Sequence, residues 1–151
     1  MQTNNAYPEW WCETVTLYNK HIDKLTSIVT WYRTVLHNCF WANTDNRLTV
    51  GDVELKANDV ICRIPENEKY LPKKKWIELS NDTMGEYFTL GTGDILIQGE
   101  VDDIIDEYRK GYRSTDLISK YKNFQGCINI NRWSDNTGVG RVNPHYLVSG
   151  T

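Results

Sequence analysis

The sequence predicts a mainly β fold: a small antiparallel β-barrel or sandwich built as one domain over residues 1–151, with a long loop and two short helices inserted before the last strands. Three observations predict it. Residues 14–41 hold two runs rich in β-branched and aromatic side chains, TVTLYNK and SIVTWYRTV, joined by the polar interruption HIDKLT. Residues 87–101, YFTLGTGDILIQGEV, form a second strand region, and the tail alternates Ile128 and Ile130 before a turn rich in Asn, Asp and Gly. Period-two alternation dominates, and helical spacing is confined to residues 102–122.

In chain order, residues 1–11 read as an N-terminal arm, polar until Trp10 and Trp11 and interrupted by Pro8. Either the two tryptophans cover the edge of the sheet, or they anchor the arm on a neighbouring subunit. In the first strand Val15 and Leu17 point one way while Thr14, Thr16 and Tyr18 point the other, as in a half-buried strand. In the second, Val29, Trp31 and Val35 share a face with Arg33. Two long strands with a short polar connection pair most economically as an antiparallel hairpin. After Trp41, ANTDN reads as a turn, and RLTVGDVEL as a small hairpin about Gly51 and Asp52. VICRIP is a compact apolar strand that Pro65 ends.

Residues 66–86 change character, with a proline, three consecutive lysines and few neighbouring apolar residues, and read as a long loop. Lys73, Lys74 and Lys75 fit a solvated edge, or a contact with an acidic partner or nucleic acid, and Trp76 beside them is typical interface material. Gly91, Thr92 and Gly93 mark a turn before a strand, because neither the spacing of a phosphate loop nor that of a dinucleotide fingerprint is present. In 102–122, Ile104, Ile105 and Tyr108 and then Leu117, Ile118 and Tyr121 recur at helical spacing with Gly111 between. Two short helices are expected, Asp102 and Asp103 opening the first and Ser114 capping the second. The group Asp102, Asp103, Asp106 and Glu107 fits a charged outer helix face, the sharper alternative being an acid–base pair or a divalent-ion site. The tail is a closing hairpin, and returning its last strand beside an early one would close a barrel.

Composition narrows the functions. An apolar fraction of 40% can build a core, and a net charge of −3 gives no broad positive field for tracking phosphates. No basic start with an apolar run, and no run long enough to span a bilayer, is found, so synthesis in the cytoplasm and no membrane association are expected. Cys12, Cys39, Cys62 and Cys127 form no CxxC pair and read as ordinary buried thiols, with a disulfide among them as the alternative. His21, His37 and His145 lack a partner at ligand spacing. No nucleophile–base or metalloprotease motif stands out, so the expectation is a protein without catalytic residues, metal or cofactor. An enzyme using His145 with a carboxylate or cysteine is the weakest alternative.

The phrases ETVTLYNK, VTWYRTV, FTLGTGDILIQGEVDDIIDEY and NTGVGRVNPHYLVSG, which together run through nearly the whole chain, resemble a family of small proteins encoded among the head and tail structural genes of phages and prophages of Gram-positive bacteria. More distantly, the strand–loop–strand layout and the Pro-His-x-x-x-x-Gly close resemble the phage head-tail adaptor and head-closure proteins. Those are small β-barrels that sit in rings between portal and tail. The chain departs from them in the helices after Val101 and in the lengthened 66–86 loop. The resemblance implies a virion structural protein, made in the bacterial cytoplasm, that assembles as a homo-oligomeric ring with portal or adaptor and tail proteins as partners. Trp10, Trp11, Lys73, Lys74, Lys75, Trp76 and Arg141 are the residues expected to carry partner contacts, and a channel position would bring Lys73 to Lys75 near DNA. The alternatives are another tail-side neck component, or a phage-encoded inhibitor that covers a basic host surface with Asp102, Asp103, Asp106 and Glu107.

Overall fold

The computed structural model describes residues 7–50, 53–122, 125–138, 140 and 142–151, and of residues 44–50 and 53–58 it describes the backbone. The strands are β1 (Glu13–Ile22), β2 (Val29–Val50), β3 (Val53–Pro65), β4 (Ile95–Gln98), β5 (Cys127–Asn136) and β6 (His145–Gly150). The helices are α1 (Lys73–Trp76), α2 (Asn81–Met84) and α3 (Ser114–Tyr121). The strands close an antiparallel barrel in the order β1-β2-β3-β6-β5-β4, with β4 returning to β1. The predicted β-barrel is therefore the observed architecture, and the final strand lies beside the early strand β3.

Alternation in β1 sets the two layers. Val15 and Leu17 face the barrel interior, where they join Leu36, Cys39, Leu96, Ile130 and Val148. Thr16 and Tyr18 face outward yet are equally buried, because residues 99–121 lie across them. A second apolar cluster forms there from Tyr18, Ile95, Ile97, Val101, Ile105, Leu117 and Cys127. Strand β4 is sandwiched between the two clusters, so Ile95, Leu96 and Ile97 are buried in succession without visible alternation. Polar groups stitch the cover to the strand. The Thr16 hydroxyl donates to the Gly99 carbonyl (2.8 Å) and accepts the Val101 N–H (3.0 Å), while the Tyr18 hydroxyl donates to the Asp103 carbonyl (2.6 Å).

Three expectations are corrected. β2 does not turn at ANTDN: it runs through it, paired with β3 from Phe40↔Arg63 to Val50↔Val53, and the connection at Gly51 and Asp52 lies outside the described residues. Pairing with β3 satisfies this polar backbone better than a local turn would, so the partner strand overrides local propensity. Of the two helices expected in 102–122 only the second, α3, forms. Val101 and Ile105 are buried and Ile104 and Tyr108 exposed, a pattern imposed by the sheet beneath rather than by a helical face. The long loop 66–86 contains α1 and α2, each a single turn, and is packed down through Trp76, Met84 and Tyr70.

Two local features shape the barrel. Between Glu13↔Cys39 and Val15↔Leu36 an extra residue sits on β2, with Asn38 in the left-handed region at φ 59°, a bulge that bends β2 as it leaves the barrel. Gly150 pairs with both Val60 and Ile130, and a Cβ there would lie 1.9 Å from the Asn129 carbonyl oxygen. Backbone cannot yield as a flexible side chain can, so Gly150→Ala should destabilise the barrel by about 1–3 kcal/mol. Urea unfolding monitored by tryptophan fluorescence checks this, and an unchanged midpoint would contradict the close approach.

Candidate interaction site

At one end of the barrel the inward face of β1 continues into Asn19, which is fully buried and polar. Its amide donates to the Thr89 carbonyl (2.7 Å) and to Asp94 (2.9 Å), and its side-chain oxygen accepts the Thr89 N–H (3.3 Å). The other Asp94 carboxylate oxygen accepts the Lys20 N–H (3.0 Å). Burial pushes the Asp94 carboxyl above the ordinary value of 3.8, against the opposing pull of the Lys20 N–H, the Lys73 charge and the Asn19 amide. The turn of Gly91, Thr92 and Gly93 leads into this aspartate, with Gly93 at φ 96°. This glycine pair thus serves a structural turn, placing a carboxylate beneath β1.

Above the network, Trp76 lies with none of its surface exposed, edge-on to His21 (5.9 Å) and Tyr32 (5.6 Å). Its indole N–H reaches the carbonyls of Met84 and Tyr87, both at 3.3 Å. Lys73 stands over the Trp76 ring (5.3 Å) and donates to the Lys20 carbonyl (3.2 Å). Of the basic cluster, therefore, Trp76 and Lys73 are committed within the chain, and Lys74 and Lys75 alone face solvent.

The two N-terminal tryptophans separate in the same way. Trp11 is buried against Tyr7, Phe40 and His145, with centroids 5.4, 6.3 and 5.6 Å away, while Trp10 is 68% exposed. The Tyr7 hydroxyl ties this arm down by donating to the Pro144 carbonyl (2.5 Å) and accepting the Glu66 N–H (3.2 Å). Trp11 thus covers the sheet, whereas Trp10 remains a contact candidate. Arg141 lies outside the described residues.

Beside the Asp94 network a cleft of about 640 Å³ opens between the β1–β2 turn and the 73–84 segment. Its apolar lining includes Ile22, Leu25, Ile77 and Leu79, and Lys20, Lys24 and Lys73 supply positive charge. The carboxylates in the lining are occupied: Asp94 as above, and Asp23 by the N–H groups of Leu25 (2.8 Å) and Thr26 (3.0 Å), which hold it below the ordinary carboxylate value. Leu25 is 96% exposed at the turn. The sequence held a signal for this in the apolar residues of a turn otherwise polar, Ile22, Leu25 and Ile28, which the period-two pattern did not mark.

The acidic group is likewise divided. Asp103 accepts hydrogen bonds from Lys120 (2.8 Å) and from the Tyr121 hydroxyl. Burial pushes its carboxyl up, but those two bonds outweigh it and hold the group below the ordinary value. Asp102 makes a 3.3 Å ion pair with Arg33 at a side chain 98% exposed, a pair of little energetic weight. Among the described residues no three or more His, Cys, Asp or Glu side chains gather to hold a metal ion, and no helix is long and apolar enough to cross a membrane. Cys39, Cys62 and Cys127 are buried free thiols and Cys12 is an exposed one. Burial pushes Cys127 up to about 11, and the Cys39 hydrogen bond followed by burial pushes Cys62 well up, so neither thiol ionises readily.

Trp76→Ala should cost about 3–5 kcal/mol of stability, as for other buried aromatics, whereas Trp10→Ala should cost under about 0.5 kcal/mol. Equal small losses in chemical denaturation would return Trp76 to the surface. The raised Asp94 carboxyl means the folded state binds more protons than the unfolded chain just above pH 3.8, so its contribution to stability is fully present at lower pH and declines as pH rises through the folded value. The stability difference between wild type and Asp94→Asn, measured from pH 3 upward, should therefore move against wild type as pH increases. A flat difference would show that burial does not shift this carboxyl.

No curated protein and no solved structure matches the chain. The family of unknown function DUF6751 matches residues 11–151, which spans the barrel, its cover and the cleft, and the chain belongs to that family.

Proposed function

We propose that this chain is a virion structural protein of a phage or prophage, a head-tail connector or head-closure component that assembles as a ring between portal and tail. The observation that carries this reading is the β2–β3 ribbon. β1 pairs with β2 only as far as Cys39, and β6 pairs with β3 only from Val60 onward. The six pairs from Asp45↔Asn58 to Val50↔Val53 therefore have no third strand among the described residues. They extend the ribbon by roughly 20 Å at the usual rise per residue.

A two-stranded ribbon is marginal in water, and its open edges present unpaired N–H and C=O groups. The barrel conceals its own edges by closure, so the ribbon is where the chain offers strand pairing to a neighbour. Repeated head to tail, such an arm generates a ring. The sequence phrases shared with structural-gene-cluster proteins support the same reading. With Lys73 occupied by the fold and a net charge of −3, the balance favours protein contacts over contacts with DNA.

Silencing the gene during infection should give full heads and finished tails that fail to join, or heads that leak DNA, in negative-stain micrographs. Normal infectious particles would remove the structural role. Replacing the ribbon beyond the Asn43↔Val60 pair with a two-residue turn should leave the barrel folded and abolish self-association in light scattering. Retained association would shift the contact elsewhere.

A further inference from the structure

We propose that the cleft beside the β1–β2 turn receives the 102–106 segment of a second copy of this chain, Ile104 entering against Leu25 and Ile77 while Asp102 and Asp106 face Lys24. This inference rests on the ring reading and names a contact that would act with the ribbon between successive copies.

The donor segment is a fixed knob. Val101 and Ile105 are both buried, and between them the Asp103 backbone carbonyl accepts the Tyr18 hydroxyl while its carboxylate is held by Lys120 and Tyr121. With its neighbours pinned on either side, Ile104 is held outward, 76% exposed, between the exposed Asp102 and Asp106. An isoleucine set rigidly into solvent between carboxylates gains nothing within its own chain. It is already ordered for a partner, so docking it costs little conformational entropy.

The acceptor complements the knob. Leu25 and Ile77 offer apolar surface within the cleft, and Lys24, which faces solvent at the turn, supplies the opposite charge. The turn carrying Leu25 is itself fixed, since Asp23 accepts the Leu25 and Thr26 N–H groups and the Asp23 N–H bonds the Ile28 carbonyl (2.9 Å). Charge opposition orients the approach and apolar burial holds it.

Knob and cleft are different patches of the chain: Ile104 lies on the cover over Tyr18, and the cleft lies between the β1–β2 turn and the 73–84 segment. Two different patches make a heterologous contact, which repeats from copy to copy and closes as a ring or continues as a helix, instead of ending at a two-fold dimer.

The test places Leu25→Cys and Ile104→Cys in one full-length chain in which Cys12, the exposed native thiol, is Ser. Both engineered positions are exposed, and unfolding of the reduced protein checks that the fold is kept. Mild oxidation should give a ladder of dimers, trimers and higher species on a non-reducing gel. A mixture of the two single variants should stop at dimers, and each single variant alone should give neither. Asp102→Lys should weaken self-association about tenfold without changing the unfolding midpoint. Rings seen by native mass spectrometry without the cross-link would overturn this interface and leave the ring intact. Cross-linking of Leu25→Cys to a different virion protein within particles, and not to a second copy, would also overturn it. A chain that stays monomeric at every concentration and beside its portal and tail neighbours would overturn both the interface and the ring.

Discussion

The structure depends on the burial of β1 on both faces. A strand of a small barrel ordinarily keeps its outer face wet, and Thr16 and Tyr18 would then need no partners beyond water. Here the cover over 99–121 removes that water, so each hydroxyl must find a bond within the chain, and each does so on the cover's own backbone. The same bonds fix the course of the cover. An apolar contact alone would let the segment slide; hydroxyl-to-backbone bonds specify its register on the sheet. Asn19 repeats the device on the inner face, tying β1 to Thr89 and to the carboxylate that precedes β4.

From that double burial follow the features that face outward. Because the cover is stretched over Tyr18, Ile95 and Ile97, it cannot coil into the helix its residue spacing suggests. It runs with Val101 and Ile105 inward and leaves Ile104 outside. Because β1 and β4 are tied through Asp94, the 66–88 segment can settle over the barrel end, and Trp76 with Lys73 becomes part of the fold. The lysine run thereby changes meaning: one member is structural, and the remaining two are surface charges. Strand closure hides the barrel's edges, and among the described residues the far end of the β2–β3 ribbon has no third strand.

Legibility in the sequence followed the range of the interactions. The opening hairpin, the glycine turn before β4, the second helix and the closing hairpin are each set by side-chain alternation or turn chemistry within a dozen residues, and each was readable there. ANTDN and the first expected helix were misread because their outcome lies with a partner distant in sequence: β3 for the former, the outer face of β1 and β4 for the latter. Among the expected contact residues, Trp10 and Trp11 look alike in sequence. Only Tyr7, Phe40 and His145, brought together from both ends of the chain, distinguish them. The cleft was not legible, because it joins residues 20–25 to residues 73–94.

By itself the sequence determined that this is a mainly β chain, where its opening and closing hairpins lie, and that the barrel's last strand returns beside an early one. Period-two burial and turn composition are local properties, and they survive without knowledge of the rest. The tertiary structure alone decided which polar residues are internal, that Trp76 belongs to the core, and that an isoleucine between carboxylates points outward. Those outcomes depend on which faces are left to share once the barrel has closed, and sheet closure is a property of the whole chain.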